Sequence, residues 1–134
     1  DIGLLRKLAE VPVAALVTKD DVIGYREFKG AFAENYVLQS LSTQSTVNLR
    51  YWTSNNSAEV DFLLQYDTHI LPIEVKSGKS ISSRSLTLYN AEKHPILRIR
   101  YSDKELKLDD NLLNIPLYMA DWTFALLDRV IASL

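Results

Sequence analysis

The chain has no cysteine, only two histidines, four glycines and four prolines. Without cysteine there is neither a disulfide framework nor a thiolate metal site, which suits the cytoplasm. His69 and His94 do not stand at metal-ligand spacing and read as turn or loop residues. No apolar run is long enough to span a bilayer and no secretory signal pattern is present, so no membrane partner is expected. No glycine-rich segment leads into a Gly-Lys-Ser/Thr phosphate loop, so ATP hydrolysis does not belong to these residues. Internal repeats and low-complexity tracts are lacking. What is left is 134 residues, 47% hydrophobic, enough for a single globular domain over 1–134 with a proper core.

Four residues then stand out. Asp61 lies in the β-prone run Glu59-Val60-Asp61-Phe62-Leu63-Leu64-Gln65-Tyr66, and Glu74 and Lys76 lie in His69-Ile70-Leu71-Pro72-Ile73-Glu74-Val75-Lys76. Asp67-Thr68 between them reads as a hairpin turn. A symmetric turn pairs residues whose numbers sum to 135, setting Asp61 opposite Glu74 and Glu59 opposite Lys76 on one side of the ladder. Opposed carboxylates are destabilising, and a divalent cation would compensate them. The plainer alternative is a solvated sheet face, and a one-residue bulge would break the pairing.

Glu34 supplies a third carboxylate. Phe28 to Leu41 reads as an amphipathic helix in which Ala31, Glu34, Leu38 and Leu41 share one face with Val37 beside it. Glu34 is expected amid that apolar stripe, where an ionised carboxylate needs a partner cation, a metal, or a place at the rim.

The rest of the chain reads as a mixed α/β fold, a central mixed sheet flanked by helices. Residues 1–27 form a helical lead-in, with Asp1 capping a helix through about Glu10 that Pro12 ends. A strand is expected over Asn48–Thr53 and a turn at Ser54-Asn55-Asn56-Ser57. A helix over Ser83–Lys93 and a strand that follows Pro95 and runs through Tyr101 complete a β-α-β crossover, with the second strand parallel to the first. Asp121 is expected to cap a last helix in which Trp122 and Leu126 are core or interface residues. The start at Asp1, without Met, reads as a piece of a longer protein.

An acid in a first helix, Asp on a strand, then Glu-x-Lys on the next resembles the PD-(D/E)XK nuclease superfamily of restriction endonucleases and Holliday-junction resolvases. Val60-Asp61 stands where the superfamily's name has Pro-Asp. Several stretches look like the C-terminal domain of a large family of bacterial and archaeal AAA+-type ATPases. These are Phe32-Ala33-Glu34-Asn35-Tyr36-Val37, Tyr51-Trp52, Ala58-Glu59-Val60-Asp61-Phe62 and Pro72-Ile73-Glu74-Val75-Lys76-Ser77-Gly78. Asp1-Ile2-Gly3-Leu4-Leu5 and Ile115-Pro116-Leu117-Tyr118 are similar to the same domain.

The resemblance implies a restriction-endonuclease-like core, with ATP bound only in a region N-terminal to this chain. It also implies Mg²⁺- or Mn²⁺-dependent hydrolysis of DNA phosphodiesters, for which oxygen ligands are suited. Asp61 and Glu74 would bind the ion, joined by the Val75 carbonyl. Glu34 would act through a water or a second ion, Lys76 would orient the attacking water, and Glu59 would support Lys76.

Charge is divided. The chain carries a net −2, but residues 74–100 carry +4, leaving −6 elsewhere. Within or beside that basic stretch, Lys79, Arg84, Arg98 and Arg100 are candidates for a phosphate backbone. The alternative is a non-catalytic module that regulates the ATPase or recognises a protein partner.

Overall fold

The computed structural model describes residues 1–14, 26–44, 49–54, 58–78 and 82–134, with backbone alone at 26 and 27. Among these, Ile2–Leu8 forms α1, Arg26–Gln44 α2, Arg84–Lys93 α3 and Thr123–Ile131 α4. Six strands follow in chain order: β1 (Arg50–Thr53), β2 (Glu59–Tyr66), β3 (His69–Val75), β4 (Arg98–Ser102), β5 (Lys107–Asp109) and β6 (Leu112–Pro116). They make one mixed sheet in the order β1-β2-β3-β4-β6-β5. None of the described helices is long and apolar enough to cross a membrane.

The hairpin about Asp67-Thr68 forms as expected. Tyr66 pairs with His69 and the ladder runs to Phe62 opposite Ile73, every pair summing to 135. Asp67 takes φ 51, a left-handed conformation that Asp tolerates better than most side chains. The crossover is also present: β3 and β4 are parallel with α3 between them, and β6 extends the parallel set.

Period-two alternation sorts the two faces. Leu71, Ile73 and Val75, with Ile99, Tyr101, Leu113 and Ile115, pack against Val37 and Leu41 of α2 and Leu127 of α4. On the other face Leu86 and Tyr89 of α3 cover Val60, Leu63 and Leu112, and Trp52 meets Tyr89 edge-on. Helices on both faces explain why β3 is buried along most of its length, Glu74 included.

Several expectations need correction. The Asp1 carboxylate does cap α1, accepting from the Leu4 N–H at 3.0 Å, but the helix stops at Leu8. Glu10 at φ 54 turns the chain before Pro12 is reached. Asp121 does not cap α4. It sits in a 3₁₀ turn, Leu117–Trp122, and Gln44 of α2 reaches across instead. Its amide donates to the Ala120 carbonyl at 2.9 Å, and its Oε1 accepts from the Phe124 N–H at 3.4 Å. Leu126 packs against the core, and Trp122, 64% exposed, keeps only the interface alternative of the two expected for it. The β5–β6 hairpin is an addition to the expected elements. Residues 15–25 of the lead-in, Asn48, Asn55-Asn56-Ser57 and Lys79 lie outside the described residues.

Candidate functional site

The site forms where the β2–β3 ladder ends. The ladder stops at Phe62 opposite Ile73, one pair short of the expected opposition of Asp61 and Glu74. Asp61 Oδ2 instead accepts the Val75 N–H at 2.7 Å. The reason lies on the other side of β2. There the register runs Arg50↔Leu63 and then Trp52↔Val60, so Asp61 and Phe62 together stand opposite the single residue Tyr51. Such a bulge re-aims a side chain and ends regular pairing. A carboxylate thereby substitutes for a backbone acceptor, and it marks the point where the two strands part.

Glu74 is 3% exposed. Its Oε1 lies 2.6 Å from Lys76 Nζ, while its buried Oε2 has no hydrogen-bond partner among the described residues. The lysine reaches it because residues two apart on a strand share a face. The Lys76 backbone N–H donates to the Tyr101 carbonyl at 2.8 Å, anchoring the lysine to β4. Lys76 was expected opposite Glu59, but the ion pair it makes is with Glu74. Glu59 is exposed and pairs with Thr53. The Val75 N–H is the backbone group that holds Asp61 Oδ2.

Glu34 arrives from α2, although not from the middle of an apolar stripe. The buried side of α2 runs through Val37, Ser40 and Leu41, with Ala33 and Tyr36 packed beside the core, while Ala31 and Leu38 are exposed. Glu34 is therefore half-buried at the rim. Burial raises its proton affinity, the Lys76 charge opposes that, and Glu59 adds to it. Asp61 is pushed up to about 6, first by burial and then by Glu34 and Glu74, with the Val75 N–H and Lys76 pulling the other way. Asp61 is thus the group that feels both other acids.

Among the described residues no three His, Asp or Glu side chains are gathered closely enough to hold a metal ion as they stand. The donor set nevertheless fits a hard divalent cation. It consists of oxygens, two acids meet at a strand end, and one buried carboxylate oxygen has no partner among the described residues.

The basic candidates divide. Arg84 is exposed on the first turn of α3. Arg98 and Arg100 are half-buried and tied through Nε, at 2.9 Å each, to Asn111 and Asn114. Burial lowers the proton affinity of Arg98, with Asp110 opposing. Arg100 stands in register between Glu74 and Asn114, so the three positions form a polar row across β3, β4 and β6. That row escaped the sequence reading. Its signal was an asparagine inside the apolar run Leu112-Leu113-Asn114-Ile115.

A protein-family model described as a domain of unknown function, DUF4143, matches residues 29–119, a span that includes Glu34, Asp61, Glu74 and Lys76. No curated protein and no solved structure matches the chain.

Proposed function

The chain belongs to the DUF4143 family, and we propose that its acid–lysine cluster is a Mg²⁺- or Mn²⁺-dependent site for hydrolysing DNA phosphodiesters. The domain would be a restriction-endonuclease-like module attached to an AAA+-type ATPase in the cytoplasm. The observation that carries this reading is the unpartnered, buried Glu74 Oε2 beside Lys76 and within the field of Asp61. Buried charges are ordinarily paired on every oxygen, and functional sites are where that rule is relaxed.

Asp61 and Glu74 would hold the cation, with Val75 contributing backbone and Glu34 completing the oxygen set from α2. A bound divalent cation supplies Lewis-acid polarisation and lowers the pKa of a bound water. The chain's own groups do the rest. The Val75 N–H fixes the Asp61 carboxylate, and the Tyr101 carbonyl fixes the Lys76 backbone. The Lys76 ammonium offsets negative charge growing on the phosphoryl oxygens. Arg84, exposed on the same chain segment as the cluster, offers attraction to a phosphate backbone.

The test is cleavage of linear, nicked and branched DNA with Mn²⁺, by the isolated chain and by the full-length ATPase with ATP. Asp61→Asn, Glu74→Gln and Lys76→Ala are each expected to reduce cleavage by about 10³-fold or more, without additivity between them. A protein that binds Mn²⁺ yet cuts none of these substrates in either form would overturn the proposal. One observation favours the second reading, a partner-binding module. Tyr118 and Trp122, four residues apart in the 3₁₀ segment, are 78% and 64% exposed.

A further inference from the structure

Glu74 and Lys76 form an unequal pair. The carboxylate is 3% exposed, paired with β4 on one flank and lying where β2 and β3 part on the other. The lysine side chain is 32% exposed and carries its charge on a long flexible stem. Only one of the two carboxylate oxygens is engaged, at 2.6 Å. A carboxylate this buried needs a counter-charge in order to stay ionised, and the structure supplies one from its own strand. That counter-charge is the member of the pair that can move.

We infer that Lys76 is an internal stand-in for the cation, neutralising Glu74 in the empty site and leaving it when a divalent ion arrives. This regulation of the site rests on the phosphodiesterase reading above. The ion and the ammonium compete for the one buried carboxylate. An ammonium 2.6 Å from the carboxylate would lie within a few ångströms of an ion on that same carboxylate, where like charges repel strongly in a partly buried setting. The exchange has two consequences. The empty protein keeps a neutral, stable core at the strand end, and the freed ammonium becomes available to a phosphate only after the ion is in place. Cation binding thus arms the site, and monovalent ions gain little because they merely replace one unit charge by another.

The experiment has two readouts, neither of them cleavage. Free Mn²⁺ is titrated by electron paramagnetic resonance with wild type and Lys76→Met. Acylation of wild-type Lys76 by an activated ester is followed by mass spectrometry with and without saturating Mg²⁺, using exposed Lys104 as the internal reference. Lys76→Met should bind Mn²⁺ about tenfold or more tightly than wild type. Acylation of Lys76, but not of Lys104, should rise severalfold on saturation. Equal affinities in a folded Lys76→Met, or unchanged acylation of Lys76 in a metal-loaded wild type, overturn the stand-in while leaving the cation site intact. Should Lys76→Met not fold, the acylation of wild type decides by itself. A wild type that binds no Mn²⁺ removes the site and the stand-in together.

Discussion

Glu74 on β3 and Asn114 on β6 are both almost fully buried and stand in one row across the sheet, with Arg100 between them in register. Asn114 uses every hydrogen-bonding position it has. Its Oδ1 accepts from Arg100 Nε at 2.9 Å and Ser102 Oγ at 2.7 Å, and its amide donates to the carbonyls of Lys104 at 3.2 Å and Glu105 at 2.8 Å. Glu74 has one oxygen on a lysine and, among the described residues, nothing on the other. The same strand environment therefore holds a closed polar hub and an open one. A closed hub rigidifies the fold, while an open one is costly unless something arrives to fill it. On the proposed reading, structural and functional polar residues differ in how completely they are satisfied.

The sharpest way to break this contrast is mutation of each hub in turn. Asn114→Ala strands Arg100 Nε and two loop carbonyls, and should cost about 3 kcal/mol in urea denaturation. Glu74→Gln removes a buried charge whose lysine can turn to water, and should change stability by less than about 1 kcal/mol or improve it. Equal losses from the two substitutions would erase the distinction.

Next in size is the effect of the proposed cation. At a hundredfold excess over its dissociation constant, Mn²⁺ should stabilise wild type by about 2.7 kcal/mol. The thermal shift should vanish in Glu74→Gln and persist in Asn114→Ala. A shift surviving in Glu74→Gln would place the ion elsewhere.

Asp61 gives a pH signature of about 2 kcal/mol, allowing for its partial exposure. Its folded pKa, about 6, lies above its ordinary value of 3.8. The folded state then holds the proton more tightly, so the contribution is favourable below pH about 4 and is lost as pH rises through about 6. Metal-free wild type should therefore lose stability relative to Asp61→Asn between these limits. Asparagine can still accept the Val75 N–H, so the difference reports the charge. Parallel pH profiles for the two proteins would contradict the raised affinity.

How much of this was legible in the chain depends on how local the cause is. The 135 register was legible because two alternating apolar runs meet at Asp67-Thr68, and slipping by one residue would turn Leu64 and Leu71 out of the core. That register also puts Asp61, Glu74 and Lys76 at one end of the β2–β3 hairpin, whereas Glu34, on α2, is outside its reach. The ladder's early end was not, because the bulge that re-aims Asp61 depends on how β1 pairs, with three residues outside the described set lying between the strands. Glu34 was put amid the stripe by counting turns, and the sheet it packs on rotates that stripe by about one residue. The cap of α4 could not be read locally either, since it comes from Gln44, 80 positions before Phe124. The β5–β6 turn at Asp110-Asn111 did carry a local signal, and Asp110 indeed adopts φ 53.

The smallest expected effect concerns nucleic acid. Arg84→Ala should weaken DNA binding and reduce the salt slope by about one unit if one phosphate contact is lost. Arg98→Ala should chiefly cost stability, because its guanidinium braces Asn111, which in turn holds Asn90 and the Pro95 carbonyl. A large slope change in Arg98→Ala with no loss of stability would move it from the brace to the DNA surface.

The most direct test of the central claim is anomalous scattering from crystals of the protein soaked in Mn²⁺. The account predicts one peak between Asp61 and Glu74, bonded to Glu74 Oε2 at about 2.1–2.2 Å, with Lys76 Nζ displaced from Glu74. Crystals that take up Mn²⁺ elsewhere, with Glu74 Oε2 still bare and Lys76 still on Oε1, would contradict it.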